Sequence, residues 1–152
     1  MEERTRAGLS HHSRKNIVSV VDFDGRTHPW PPPGYEVNLD DIRPRSSLHI
    51  RCRELLRQMY PTQPVLEEVP IPGERLFCDF YLPMRKVVIE CHGQQHDVFT
   101  PHFHKTKAEF RVSQNRDRRK IEWCHMNNIR VAVLPYDETD EQWQTKIENA
   151  DD

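Results

Sequence analysis

Apolar positions recur with a regular period from about residue 46 onward, and this pattern predicts the elements of one compact unit. A helical period predicts a helix from Ser46 or Ser47 to about Met59, and Pro61 follows its end. Three short extended stretches come next, each ending at Pro or Gly, and they predict three strands. A long helix, a fourth strand and a last helix complete the pattern. The predicted bounds are 65–71, 76–82 and 86–92 for the first three strands, 105–127 for the long helix, 130–136 for the fourth strand and 138–149 for the last helix.

The order of these elements, α-β-β-β-α-β-α, indicates the fold class. A meander of three strands followed by a helical crossover predicts an α/β fold with helices against a mixed sheet. The first part of the chain is irregular: residues 1–16 form a polar, basic arm, and 17–23 could form a strand. Residues 24–34 are so rich in Pro and Gly that neither a strand nor a helix is expected there. We therefore divide the chain into an irregular N-terminal extension, 1–45, and a domain at 46–152.

Isolated acids stand in two of the predicted strands. Asp79 is the one charged residue of the stretch at 76–82, and Glu90 shares a face of the next strand with Val88 and His92. Ten residues separate the two acids, a length compatible with a hairpin that brings them together. Because burying an unpaired charge is costly, acids in such apolar strands need a compensating partner.

A divalent cation would supply that partner, since carboxylates on adjacent strands suit Mg²⁺ or Mn²⁺. In phosphodiester hydrolysis such an ion activates water and neutralises charge on the phosphate. The alternative is that each acid forms a structural salt bridge with a nearby arginine. The occurrence of two acids with His92 and His96 in one short span favours the metal site.

The segment CDFYLPMRKVVIECHGQQH, from Cys78 to His96, resembles the core of the PD-(D/E)xK nucleases. It looks closest to the branch of very-short-patch mismatch repair endonucleases and related homing endonucleases. Those proteins show an Asp-led strand, a tight turn, a strand ending in an acid, and then Gly-x-Gln-His, which Gly93, Gln95 and His96 match. The resemblance covers roughly residues 46–136. It implies a restriction-endonuclease-like core that hydrolyses DNA.

The resemblance also implies roles for individual residues. Asp79 would be the leading metal ligand and Glu90 the second acid. His92 stands where many members carry Lys or Asp, and we expect it to support the site. His96 would be the general acid or base. The branch often adds a Glu from the first helix, where this chain offers Glu54 or, in the better alignment, His49.

Asp117 is the predicted partner of His96. The branch places an acid on the long helix near its histidine, and helical spacing independently puts Asp117 on the inward face of this helix. A carboxylate there would orient the imidazole. Asp97 is a rival partner, and a salt bridge from Asp117 to Lys120 is the structural alternative. The inward stripe consists of Phe110, Gln114, Asp117, Ile121 and Cys124.

The formal net charge of −2 conceals a strong segregation of charge. Residues 43–57 and 105–120 are basic, whereas 137–152 are acidic. Two basic stretches indicate a polyanion partner, although solvated helix surfaces would look the same. We predict contacts to DNA phosphates on both sides of the metal site. The residues expected to make them are Arg51, Arg53, Arg57, Arg111, Arg116, Arg118, Arg119 and Lys120.

The sequence thus predicts a Mg²⁺- or Mn²⁺-dependent endonuclease that acts on double-stranded DNA. A site-specific homing endonuclease or nickase and a mismatch- or junction-specific repair nuclease both fit, and so does an RNA nuclease. A catalytically silent DNA-binding module is the alternative from another class, because His92 replaces the expected lysine. Four cysteines without a CxxC pair and the lack of a membrane-length apolar run predict a soluble, cytoplasmic protein. Both a monomer and a homodimer are compatible with the sequence.

Overall fold

The computed structural model describes residues 16–41, 43–94 and 106–150. Within these residues the chain forms six strands and three helices. From residue 46 onward their bounds lie within two residues of the predicted ones. The strands are β1 (Val18–Val21), β2 (Thr27–Trp30), β3 (Leu66–Pro70), β4 (Phe77–Leu82), β5 (Val87–His92) and β6 (Arg130–Pro135). The helices are α1 (Ser47–Met59), α2 (Lys107–Met126) and α3 (Asp140–Glu148).

Strands β3 to β6 form the main sheet in the order β3-β4-β5-β6. β3 and β4 pair antiparallel, as do β4 and β5, so these strands form the expected meander. β6 pairs parallel to β5, and α2 makes the crossover between them. The mixed α/β class and the mixed sheet are therefore confirmed.

The main sheet has a separate apolar cluster on each face. On one face, α1 and α3 pack against Val87, Ile89 and Cys91 of β5. On the other face, α2 and the β1–β2 hairpin pack against Val88 and its neighbours. The alternation predicted for β5 is confirmed, because its odd-numbered side chains meet α1 and α3 while Val88 faces α2. The two helical layers that bear the basic stretches thus lie on opposite faces of the sheet.

Side-chain caps fix the starts of the helices. The Ser46 hydroxyl accepts a hydrogen bond from the backbone N–H of His49, as expected for the start of α1. Thr106 caps α2 in the same way. At α3, Thr139 and Gln142 form a reciprocal capping box. These caps satisfy backbone donors that the first helical turn leaves unpaired.

The Pro-rich stretch contains a strand that the sequence did not predict. Thr27–Trp30 forms β2, which pairs antiparallel with β1 in a two-stranded sheet. Pro29 has no backbone N–H to donate. It is tolerated because each strand of a two-stranded sheet pairs on one side only, and the proline nitrogen can face the unpaired side. Trp30 is fully buried and donates from its indole N–H to the carbonyl of Pro70, 2.9 Å away. Its position covers the core.

The four cysteines are buried and free. Cys52 and Cys91 lie in the cluster under α1, and Cys78 and Cys124 lie in the cluster under α2. In the part of the chain that the structure describes, no helix is both long and apolar enough to cross a bilayer.

Candidate functional site

Asp79 and Glu90 lie side by side where the pairing of β4 with β5 ends. The last paired residues are Phe80 and Ile89. Beyond them the backbone N–H of Asp79 donates to Oε2 of Glu90 over 2.7 Å, and the N–H of Cys91 donates to Oδ2 of Asp79 over 2.9 Å. Each acid therefore binds the backbone of the opposite strand. The structure brings together the two acids that the sequence predicted as neighbours.

The other edge of Asp79 faces an irregularity in β3. Glu67 pairs with Phe80 and Val69 pairs with Cys78, but Glu68 and Asp79 between them do not pair. Glu68 has φ of 51°, in the left-handed region that side chains other than glycine rarely adopt. Such a conformation costs on the order of 1–3 kcal/mol and persists where the surroundings enforce it, often at functional sites. The main sheet is thus interrupted beside the acid pair.

Lys120 completes this group from α2. Its Nζ donates to Oε1 of Glu90 over 2.8 Å, although we predicted a contact to DNA for this residue. The Glu90 side chain is 2% exposed and that of Lys120 is 15% exposed, so the ion pair is almost fully withdrawn from water. A lysine 30 positions away in sequence has become the counter-charge of the second acid.

Burial and the charge of Asp79 raise the pKa of Glu90 to about 7, although Lys120 acts in the opposite direction. Burial disfavours the charged form of Lys120, but attraction by Glu90 and Asp79 outweighs it and raises the pKa of the lysine above its ordinary value. Asp117, one turn earlier on α2, adds to this attraction. Two acids and one ammonium therefore share a small, weakly hydrated volume with an excess of negative charge.

Because the pKa of Glu90 is higher in the folded chain than its ordinary 4.5, stability should depend on pH. Between these two values the folded chain binds more protons than the unfolded chain, so the free energy of unfolding should fall as pH rises from about 5 to about 8. We expect a loss of roughly 2–3 kcal/mol from this group, at about 1.4 kcal/mol per pKa unit. Urea unfolding in EDTA at several pH values would measure the loss.

The matched variant for this measurement is Glu90→Gln, which removes the titrating group and keeps its size. Every other titratable group is the same in the two proteins, so the comparison isolates Glu90. The variant should show a flatter pH dependence than the wild type. Equal slopes in the two proteins would show that Glu90 is ionised throughout the interval.

The acid pair has the donor chemistry that a hard divalent cation requires. Both acids offer carboxylate oxygens, and an ionised carboxylate has about four lone-pair positions. The hydrogen bonds described above occupy one of these on Asp79 and two on Glu90. The two carboxylates repel each other, and a cation bound to both would relieve this repulsion. Among the described residues, no group of three or more His, Cys, Asp and Glu side chains is arranged around a metal position.

The remaining predicted site residues stand as follows. His92 is half-buried at the end of β5, where its carbonyl accepts a hydrogen bond from Tyr136. Asp117 is half-buried on α2, on the inward stripe and three residues before Lys120. His96, the predicted acid or base, and Asp97, its rival partner, lie outside the described residues. The predicted pairing of His96 with Asp117 therefore stays a prediction.

A second buried charge cluster, which the sequence did not reveal, adjoins the site. Glu67 of β3 accepts a bidentate pair of hydrogen bonds from Arg53 of α1 and lies 2.9 Å from Nε2 of His49. Arg45 reaches the same carboxylate from 4.0 Å. Burial opposes ionisation, but the hydrogen bonds from His49 and Arg53 outweigh it and hold the pKa of Glu67 below its ordinary value. His49 thus binds Glu67, and Glu54, the other helix candidate, is exposed.

A cleft of about 880 Å³ opens between the interrupted edge of β3, β4 and α2. Asp79 and Lys120 both line it, while Glu90 is buried behind them. Carboxylates and cations line most of the cleft, and three apolar residues, Gly34 and Asn38 form the rest of the wall. The acids are Glu36, Asp41, Glu67, Glu68 and Asp79, the cations are Arg43, Arg45, Arg75, Arg116 and Lys120, and the apolar residues are Tyr35, Leu76 and Phe77.

The structure does not bring the predicted DNA-binding arginines onto one surface. Arg53 is buried against Glu67. Arg51 binds Asp140 and lies over the ring of Trp143, 3.7 Å from its centroid. Arg57 donates to a backbone carbonyl within its own half of the fold. The arginines of α1 thus have intramolecular partners on the face of the sheet opposite to α2.

The basic residues of α2 fit the DNA-binding prediction better. Arg111, Arg116 and Arg118 are exposed, and Arg116 lines the cleft beside Lys120. Arg119 is exposed too, but it binds Glu74 and lies over the ring of Phe23. Of the predicted DNA-binding residues, those next to the acid pair therefore come from α2 and not from α1.

Parts of the chain are similar in sequence to two viral proteins. The uncharacterized protein 307L of Invertebrate iridescent virus 6 is 45% identical over 58 residues, which are 38% of this chain and 29% of that protein. The uncharacterized protein 033L of Invertebrate iridescent virus 3 is 32% identical over 92 residues, 57% of this chain and 47% of that protein. The chain spans less than half the length of each relative. No family model and no solved structure matches it.

Proposed function

We propose that this chain is a Mg²⁺- or Mn²⁺-dependent DNA endonuclease. The observation that carries the proposal is the group formed by Asp79, Glu90 and Lys120. Asp79 and Lys120 line a charged cleft, and Glu90 lies behind them. Two acids from neighbouring strands supply hard oxygen donors, and a lysine from the crossover helix supplies a positive charge for a phosphate. This combination is suited to phosphodiester hydrolysis.

The order of elements supports a restriction-endonuclease-like core. From α1 to α3 the chain runs helix, three strands, helix, strand, helix. This is the order that the resemblance to PD-(D/E)xK nucleases implies. The two acids also lie on the second and third strands of this core, as the resemblance requires.

In the proposed mechanism Asp79 and Glu90 are the residues that would hold the divalent cation. A bound divalent cation supplies Lewis acidity, which polarises the phosphate and lowers the pKa of water. The backbone N–H groups of Asp79 and Cys91 fix the orientation of the two carboxylates, so the geometry is set before substrate arrives. His92 supports the end of β5, and His96 is the proposed general acid or base, oriented by Asp117.

Lys120 counters the main argument against catalysis, which is the absence of a lysine at the position of His92. The chain has His92 where many nucleases of this type carry a lysine, but the ammonium of Lys120 reaches the second acid from α2. It acts against the rise in the pKa of Glu90 that burial and Asp79 cause, and it faces the cleft beside Asp79. There it can stabilise negative charge that develops on a bound phosphate. Arg116, next to it in the cleft wall, would hold a neighbouring phosphate.

A catalytically silent DNA-binding module is the second candidate. It is favoured by the same ion pair, since Lys120 already neutralises one carboxylate of the proposed metal site. On this alternative the exposed arginines of α2 bind phosphates and the buried charges have a structural role only. The mismatch- or junction-specific nuclease is a narrower form of the first proposal.

Incubation of the protein with supercoiled plasmid DNA tests the proposal. We expect nicked or linear DNA with Mg²⁺ or Mn²⁺ and none with EDTA. Nicked circles, a discrete linear band or a smear would indicate a nickase, a site-specific enzyme or a nonspecific enzyme. Binding of DNA without cleavage under any of these metals would favour the silent module.

A further inference from the structure

The cleft has an aromatic side chain at its mouth that the proposed hydrolysis does not use. Phe77 is 52% exposed and lines the cleft together with Tyr35 and Leu76. It stands two residues before Asp79 on the same strand. The apolar part of the cleft wall thus lies next to the acid pair.

The fold holds Phe77 in this exposed position. Its neighbours Leu76 and Cys78 are buried, and its backbone pairs with Pro70 of β3. Because successive side chains of a strand point to opposite sides, burying both neighbours directs Phe77 away from the core. An exposed aromatic ring on a fixed backbone can offer its face to a ligand at little cost in conformational entropy.

The charges beside Phe77 indicate what the ligand is. Arg75, Arg116 and Lys120 line the same cleft and would attract a phosphate, while the aromatic ring would attract a flat apolar surface. A nucleotide carries both groups. The volume of about 880 Å³ is typical of a small-ligand site, so the cleft suits one or two nucleotides rather than a duplex. The carboxylates of the cleft would also repel the closely spaced phosphates of a DNA duplex.

We propose that the cleft binds an unpaired nucleotide of DNA, with its base stacked on Phe77 and its phosphate beside Lys120. This inference rests on the proposed function in assigning the bound phosphate to the cleavage site. It narrows the substrate to single-stranded DNA or to a duplex with a gap, flap or bulge. Stacking on aromatic side chains is tolerant of sequence, because each base has a π-face.

Fluorescence anisotropy in EDTA tests the inference without cleavage. The probes are a labelled single-stranded oligonucleotide, the same strand in a full duplex, and a duplex with an unpaired bulge. The wild type should bind the single strand and the bulged duplex at least tenfold more tightly than the full duplex. Phe77→Ala should weaken binding of the unpaired probes by about tenfold. This loss lies within the range known for removal of one base–aromatic contact.

Two further variants separate stacking from folding. Phe77→Trp should retain the affinity for unpaired probes, whereas Phe77→Leu, which is apolar but has no aromatic face, should lose it. Met84→Ala removes another exposed apolar side chain, in the turn at the other end of β4, and should leave binding unchanged. Equal affinity of the wild type for paired and unpaired DNA, or equal affinities of the Trp and Leu variants, would overturn the inference. If the wild type cleaves plasmid DNA, either of these two results would overturn only the inference about unpaired nucleotides and not the proposed nuclease activity.

Discussion

Replacing Asp79 by Asn is expected to reduce metal-dependent DNA cleavage by several orders of magnitude. Asparagine retains an oxygen that can accept the hydrogen bond from Cys91, so the contact between the strands survives. It removes the negative charge that a hard cation requires. Each lost factor of ten in rate corresponds to about 1.4 kcal/mol of transition-state stabilisation, and loss of a bound cation removes several times this amount. The rate of plasmid nicking under saturating Mg²⁺ would measure the effect.

Glu36→Gln is the matched control for this variant. Glu36 lines the same cleft, so its replacement lowers the negative charge of the cleft without altering the acid pair. We expect cleavage close to wild type from Glu36→Gln and unchanged thermal unfolding of Asp79→Asn. Cleavage by Asp79→Asn at the wild-type rate would show that the acid pair is not the catalytic centre. Unfolding of this variant would identify Asp79 as a structural residue.

Replacing Glu67 by Gln is expected to lower the free energy of unfolding by about 3–5 kcal/mol, the cost of breaking one side of a buried ion pair. The Arg53 guanidinium makes three hydrogen-bond contacts to this carboxylate, and the side chain of Arg53 is 6% exposed. In the variant its guanidinium would remain in the interior beside Arg45, with a neutral amide between them. Urea unfolding at neutral pH would measure the loss.

The neighbouring residue provides the control. Glu68 is 48% exposed and pairs with Arg45, so Glu68→Gln should cost less than about 1 kcal/mol. A double variant with Glu67→Gln and Arg53→Met should recover part of the stability, because it also removes the unpaired cation. If Glu67→Gln and Glu68→Gln had equal effects, the buried network would contribute no more than a surface ion pair.

The elements of the domain could be predicted from the sequence because they depend on local pattern. Val87, Ile89 and Cys91 alternate with Val88, and this period of two is sufficient to define a strand with one face toward each apolar cluster. The closeness of Asp79 and Glu90 followed from a short turn between two such strands. Interactions between near neighbours in sequence thus determine both features.

The charge partners could not be predicted because they depend on how distant elements pack. Lys120 looked like one of several cations on an exposed helix, and nothing in its neighbourhood marks it as the residue that meets Glu90. Glu67 and Arg53 are 14 residues apart and meet only when α1 lies on the sheet. A usable signal was present nevertheless: Glu67 and Glu68 are adjacent acids in a strand whose other residues are apolar, and alternation turns one of the two side chains toward the core. The same argument applied to β3 would have predicted a buried partner for Glu67.

The parallel pairing of β5 with β6 has a consequence for the nascent chain. The meander that carries both acids leaves the ribosome before α2, which makes the crossover and carries Lys120. The 30 residues from Glu90 to Lys120 take roughly two to six seconds to synthesise at about 5–20 residues per second. During this interval the two acids lie on adjacent segments without the ammonium of Lys120, so the repulsion between the carboxylates is not yet offset. The order of synthesis therefore makes docking of α2 the step that supplies the counter-charge of the acid pair.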